Sequence, residues 1–152
     1  MNDVVYAPTP VELVEPMLDL ADVRSGEVLA DLGCGDGRIV IAAAKRGVLA
    51  FGYDCAQERI AEAQRNAGAQ SGAATFILCD FFDLDLSNID VVTLYLSAGP
   101  NAKLLPQLRR MRPESRIVSL DFSLGPPFDD CKEFMLRRRR VLYLWRNPLR
   151  SI

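Results

Sequence analysis

The segment Asp31-Leu32-Gly33-Cys34-Gly35-Asp36-Gly37 restricts the fold of this chain more than any other. Glycines at every second position suit a tight turn in which backbone must come close to something else. The segment overlaps a hydrophobic run, Val28-Leu29-Ala30-Asp31-Leu32, and is followed by a helical stretch from Arg38 to Arg46 that Gly47 ends. A buried strand turning through glycines into a helix is the opening unit of a parallel α/β sheet.

The rest of the chain continues that alternation. Leu49 to Asp54 reads as a second strand. Gln57 to Ala67 reads as a helix with Ile60, Ala63, Gln64 and Ala67 on one face, and Thr75 to Cys79 as a third strand. Val91 to Leu96 is the most strand-like run, followed by a helix from Asn101 to Arg110 and a fifth strand from Arg116 to Phe122. Gly125-Pro126-Pro127 breaks the chain. Cys131 to Arg146 then forms an antiparallel hairpin, with Val141, Tyr143 and Trp145 alternating.

At the N-terminal end, Thr9 can cap a helix, Pro10 suits its first position and Glu12 completes a capping box. Val14, Met17, Leu18 and Ala21 then make an apolar stripe, with Pro16 predicting a kink or a split into two short helices. The expected fold is α/β: a Rossmann-like, doubly wound, mostly parallel sheet closed by the C-terminal hairpin. No repeat, low-complexity tract or linker interrupts residues 1–152, so one domain is expected.

The composition supports a protein with its own apolar core. The 152 residues are 49% hydrophobic and 25% charged, which suffices without disulfides or metal. A net charge of -2 and a pI near 5.2 speak against a surface built for phosphate backbones, and hence against a nucleic-acid partner. The run Arg137-Arg138-Arg139-Arg140 is read as a solvated hairpin turn, an acidic partner or nucleic acid being the alternative. No apolar run approaches the ~20 residues of a membrane span, and Met1 to Tyr6 has no signal-peptide pattern. A cytoplasmic protein without membrane attachment is expected.

Cys34, Cys55, Cys79 and Cys131 form no C-x-x-C pair, and histidine is absent, so no metal site is expected. The lack of histidine also removes every Ser-His or Cys-His nucleophile scheme.

In open α/β sheets ligands bind beyond the carboxyl ends of the strands, where strand order reverses. The glycine spacing is G-x-G-x-G, and Arg38 stands where the dinucleotide fingerprint would place its third glycine. Asp31 and Asp36 are poor neighbours for a pyrophosphate. They suit the cationic amino group and sulfonium of S-adenosylmethionine (SAM), over which the backbone of Gly33, Cys34 and Gly35 would pass. Asp54, about 20 residues beyond the glycine loop, fits a ribose partner; capping the next helix is its other reading. Asp80 can accept from an adenine amino group and Phe81 can wall the ring, or the two can be a turn former and a core residue. Tyr95 ends the fourth strand, where the methyl acceptor would enter, and is either a channel residue or a plain strand former.

These motifs carry a family resemblance. The stretch from Val28 through the glycine loop to Lys45 resembles the first motif of a compact bacterial and archaeal methyltransferase group. That group includes an archaeal protein-lysine methyltransferase of broad specificity. The chain is also similar to the FAM173-type mitochondrial lysine methyltransferases, and more distantly to DOT1-like histone lysine methyltransferases. Tyr6-Ala7-Pro8-Thr9-Pro10, Asp80-Phe81-Phe82, Val91 to Leu96 and Arg116 to Phe122 extend the likeness over nearly the whole chain.

The resemblance implies a class I methyltransferase whose residues 1–24 cover the cofactor, with Tyr6 and Thr9 touching SAM. It implies a protein lysine as acceptor, faced by Tyr95, Asp121 and Phe122. The departures cluster on the acceptor side. Leu120 stands where family members commonly have histidine, and Pro126-Pro127-Phe128 where a tryptophan often follows. A lysine must lose a proton before it attacks, and burial in an apolar channel favours that loss without a histidine base. A small-molecule or nucleic-acid methyltransferase on the same fold is one alternative, although no N-P-P-Y-type sequence follows the fourth strand. A non-catalytic SAM-binding module is the other.

Overall fold

The computed structural model describes residues 7–70, 72–125, 133–137 and 139–149. They build one seven-stranded sheet. Its strands are β1 (Val28–Leu32), β2 (Leu49–Asp54), β3 (Ala74–Leu78), β4 (Val91–Leu94), β5 (Arg116–Leu120), β6 (Glu133–Arg137) and β7 (Arg140–Arg146). The spatial order is β3-β2-β1-β4-β5-β7-β6. The first five strands run parallel, and β7 lies antiparallel to both β5 and β6. The expected doubly wound sheet with a closing hairpin is therefore the observed one. The chain winds outward from β1 to β3, then returns to β4 on the other side of β1. That reversal opens a cleft between the ends of β1 and β4, where such sheets hold ligands.

The central strands are apolar on both faces because helices cover both faces. One apolar layer joins Leu29, Ala50, Val91 and Val118 to α1 (Val11–Leu20), α2 (Arg38–Lys45) and α3 (Gln57–Ala67) through Met17, Leu18, Ile39, Val40, Ile60 and Ala63. The opposite layer joins Ala30, Leu32, Val92, Leu94 and Ile117 to Leu104 and Leu108 of α4 (Ala98–Arg109). Below the sheet, the Arg116 guanidinium binds the carbonyls of Ala21 and Asp22 and both oxygens of Glu27, fixing the end of α1 against β5.

Several local expectations are corrected. The cap residue of α1 is Pro10, with no side-chain bond, so the Thr9 capping box does not form. Pro16 sits inside α1 without splitting it. Its missing N–H forgoes one bond to the carbonyl of exposed Glu12, while the burial of Leu13, Val14, Met17 and Leu18 holds the helix together. Gln64 is exposed and does not join the packed face of α3. α4 begins at Ala98, not Asn101, and β4 ends at Leu94. β5 ends at Leu120 because Asp121 turns into the left-handed region at φ 64°. In β7 the alternation of Val141, Tyr143 and Trp145 is present, but Leu142 and Leu144 on the other face are fully buried. As an interior strand, β7 is packed on both sides.

Between β3 and β4 the described chain makes only a 3-10 turn at Phe81–Asp83. α4 holds that connection from below: the Gln107 amide donates to the carbonyls of Phe81 and Leu84, both at 2.8 Å. Among the described residues no helix is long and apolar enough to cross a membrane.

Candidate functional site

Gly33, Gly35 and Gly37 have φ of 83°, 54° and 85°, the left-handed region that a side chain disfavours. The N–H groups of Gly33 and Cys34 donate to the Tyr53 carbonyl at 2.8 and 3.0 Å, which pins the loop to the end of β2. A Cβ at Gly37 would stand 2.9 Å from the Phe76 ring and 3.0 Å from Ala63 Cβ. The third glycine thus serves the close packing of α2 against β3 and α3, while the first two shape the cleft.

Asp54 binds the same loop. Its carboxylate accepts from the Gly35 N–H and the Ala56 N–H, each at 3.0 Å. Ala56, not Asp54, is the cap residue of α3. Asp54 therefore lies at the end of β2 with its carboxylate oriented by two backbone donors.

The two acidic residues of the loop differ sharply. Asp36 is neutralised within the loop by Arg38, whose Nε and terminal nitrogen reach its two oxygens at 3.0 and 2.5 Å. That bonding holds the Asp36 carboxyl below the usual carboxylate range. Asp31 is only 4% exposed, and its bonded partner is a hydroxyl, Thr93 Oγ1 on β4, at 2.8 Å. Burial raises the Asp31 carboxyl to about 7, and the nearby charges of Asp54 and Asp36 add to the effect. A group in this state gains much by meeting a cation, so Asp31 rather than Asp36 is equipped for that contact.

Arg38 also reaches across the cleft, donating to the Thr9 carbonyl at 2.7 Å. One guanidinium thus joins the glycine loop to the segment that precedes α1. Thr9, Asp31, Gly33, Cys34 and Gly35 line a single pocket together with Tyr95. Burial pushes the Cys34 thiol well above its ordinary value, so it is an inert wall residue. Tyr6 lies outside the described residues.

Asp80 is exposed beyond β3 and accepts from the Phe82 N–H at 3.1 Å, capping the 3-10 turn. Phe81 is 3% exposed and packs in the apolar layer with α4. Its ring edge would be 3.9 Å from a Cβ at Gly33. Phe81 is therefore a core residue that also borders the glycine loop.

Tyr95 and Asp121, two of the residues expected to face an acceptor, meet at an arginine expected to lie in a solvated turn. Arg140 donates through Nε to Asp121 at 2.7 Å and through a terminal nitrogen to the Tyr95 hydroxyl at 2.7 Å. Its guanidinium also lies 5.6 Å from the centre of the Tyr95 ring. The solvated-turn reading of the arginine run is thus corrected at Arg140. The missing signal was register: β5 pairs with β7 so that Leu120 faces Leu142, which sets Val141 against Asp121 and leaves Arg140 next to it. Phe122 is 39% exposed, and its carbonyl accepts from Ser119 Oγ and from the Asn101 amide.

The site as a whole offers a buried carboxylate for a cation, a glycine backbone of close approach, and carboxylates at the ends of β2 and β3. This donor set fits SAM. The family model of the ANTKMT methyltransferase domain matches residues 31–127. A protein-lysine N-methyltransferase of Saccharolobus islandicus (strain REY15A) is 40% identical over 80% of this chain and 78% of its own length. A human lysine N-methyltransferase of an ATP synthase subunit is 28% identical over 77% of this chain, which spans 51% of that relative. Among solved structures, an RNA methyltransferase from Salinibacter ruber in complex with S-adenosyl-L-homocysteine superposes with a TM-score of 0.88. It is 36% identical, with 96% of this chain and 97% of the other covered.

Proposed function

We propose, since this chain belongs to the ANTKMT methyltransferase family and takes its methyl group from SAM, that its acceptor is the side-chain amine of a protein lysine. The observation that carries the acceptor is the 40% identity to an archaeal protein-lysine N-methyltransferase over most of both chains. The slightly acidic net charge supports a protein over a nucleic-acid acceptor.

In this reading Asp31 pairs with the cationic end of the cofactor, and the loop Gly33–Gly35 lies against it. Asp54 takes the ribose hydroxyls, Asp80 the adenine amino group, and Phe81 supports the ring. Thr9 covers the cleft, and the family resemblance assigns Tyr6 a contact with the same cofactor. SAM supplies a methyl carbon already activated by its sulfonium, so the protein's task is alignment and exclusion of water. Tyr95, Asp121 and Phe122 face the incoming amine. The apolar and aromatic surround of the lysine favours its neutral form, and the freed proton leaves to solvent. No histidine is needed.

Incubation with methyl-labelled SAM and the separated protein, RNA and small-molecule fractions of a lysate tests the acceptor. Label recovered as methyl-lysine after hydrolysis of the protein fraction is the expected result. Label confined to RNA or to small molecules would overturn the lysine reading, and bound SAM with no transfer would make the chain a binding module.

A further inference from the structure

Asp121 interrupts a β-strand with a left-handed φ of 64°, and the Phe122 N–H folds back on the Leu120 carbonyl at 2.8 Å. A turn closed over one non-glycine residue at positive φ is strained, and such strain persists only where neighbours enforce it. The contacts that hold Asp121 itself come from the start of β7, while Ser119 Oγ and the Asn101 amide hold the Phe122 carbonyl. The Asp121 N–H donates to the Val141 carbonyl at 2.7 Å, and the Val141 N–H returns a bond to Asp121 Oδ1 at 3.1 Å. Arg140 Nε occupies the other oxygen at 2.7 Å.

The same guanidinium fixes Tyr95, the residue through which this cluster reaches the cofactor pocket. A phenolic oxygen that accepts from a guanidinium has its lone pair engaged on that side. Its own proton and its ring face are then turned to a set direction. A planar, forked guanidinium spans a carboxylate and a hydroxyl from two separate nitrogens in a fixed geometry, which the compact, freely rotating donors of an ammonium do not reproduce.

We propose that Arg140 is a positioning residue of the methyl-transfer site, holding the Tyr95 hydroxyl and the strained Asp121-Phe122 turn in the geometry that receives the acceptor. The proposal rests on the reading that the acceptor enters at Tyr95. It gives one arginine of the hairpin run a specific task, whereas Arg139, adjacent in sequence, is exposed.

Two variants, Arg140→Gln and Arg140→Lys, test this with three measurements: steady-state kinetics, SAM affinity by calorimetry, and hydrogen exchange at the Phe122 and Val141 amides. A misplacement of about 1 Å at a reacting pair loses on the order of 10²-fold in rate, so kcat is expected to fall by about that factor in Arg140→Gln. SAM affinity stays within about twofold, since Arg140 touches none of the residues assigned to the cofactor. Both amides exchange faster than in the wild type. Arg140→Lys keeps the charge but not the fork and follows the same pattern, which also covers the case in which the glutamine variant fails to fold. Wild-type kcat in either variant overturns the proposal. So does a fall in kcat with unchanged exchange, which would mean that Arg140 acts on the acceptor directly. If the wild type transfers no methyl to lysine, that reading fails by itself. The exchange measurement still decides whether Arg140 holds the turn.

Discussion

Replacing Asp31 by asparagine separates the stability of the fold from the binding of its cofactor. The carboxyl is 4% exposed and is bonded by Thr93 Oγ1, which an asparagine carbonyl oxygen can still accept. Its proton affinity corresponds to about 7 in the fold against an ordinary value of 3.8. At ~1.4 kcal/mol for each tenfold, that gap amounts to about 4 kcal/mol. The sign follows from linkage. The folded state holds the proton more tightly, so Asp31 favours the fold fully below about pH 4, and this contribution is lost as pH rises to about 7.

The asparagine side chain carries no such dependence. The stability of Asp31→Asn minus that of the wild type should therefore rise by about 4 kcal/mol between pH 4 and pH 8. Burying the new amide donors without partners offsets about 2 kcal/mol at every pH, which leaves the variant about 2 kcal/mol the more stable at pH 8. Urea denaturation at pH 4, 6 and 8 measures this directly, and carboxylates with lowered values elsewhere cancel in the difference. Calorimetry should meanwhile show SAM binding weakened at least ~10-fold, the worth of one charge-assisted contact. A stability difference that stays flat from pH 4 to pH 8 would show that Asp31 is not held uncomfortably in the core, and the reasoning would fail.

Two other substitutions probe the loop. Asp54→Ala removes the partner of the Gly35 and Ala56 N–H groups, and with it the carboxylate proposed to take the ribose hydroxyls. SAM affinity should drop by about 10- to 100-fold, as expected for a lost hydrogen bond to a charged group, and an unchanged calorimetric affinity would sink the assignment. Gly37→Ala forces a Cβ to 2.9 Å from the Phe76 ring at φ 85°. The left-handed penalty and the overpacking together predict a loss of about 3 kcal/mol in urea denaturation, and a loss below about 1 kcal/mol would contradict the packing role.

The parallel core was readable because β1, β4 and β5 are short, mostly apolar runs between helical periods, and each residue's immediate surroundings decide that pattern. The glycine loop was readable for the same reason: its spacing alone demands a special backbone. The element ends were less so. α4 starts three residues before the expected Asn101, since Pro100 fits a first helical turn and carries no stop signal of its own. Asp36 was read as a ligand for the cofactor's cation, but Arg38 neutralises it, a choice between two partners that composition cannot make. Arg140 was hidden more deeply. Its neighbours Asp121 and Tyr95 lie 19 and 45 residues away in sequence, and only the register of an antiparallel pair brings them together.

The bonds made by α4 have a consequence for the whole reaction centre. Gln107, near its end, carries the carbonyls of Phe81 and Leu84 beside the glycine loop. Asn101, near its start, carries those of Phe122 and Ser123 beyond the end of β5. The two walls of the cleft come from chain segments some forty residues apart, yet a single rigid rod sets the gap between them. In a protein with so short a connection between β3 and β4, that rod acts as the ruler of the cleft: the separation of its two walls is written into the length of one helix rather than into either wall.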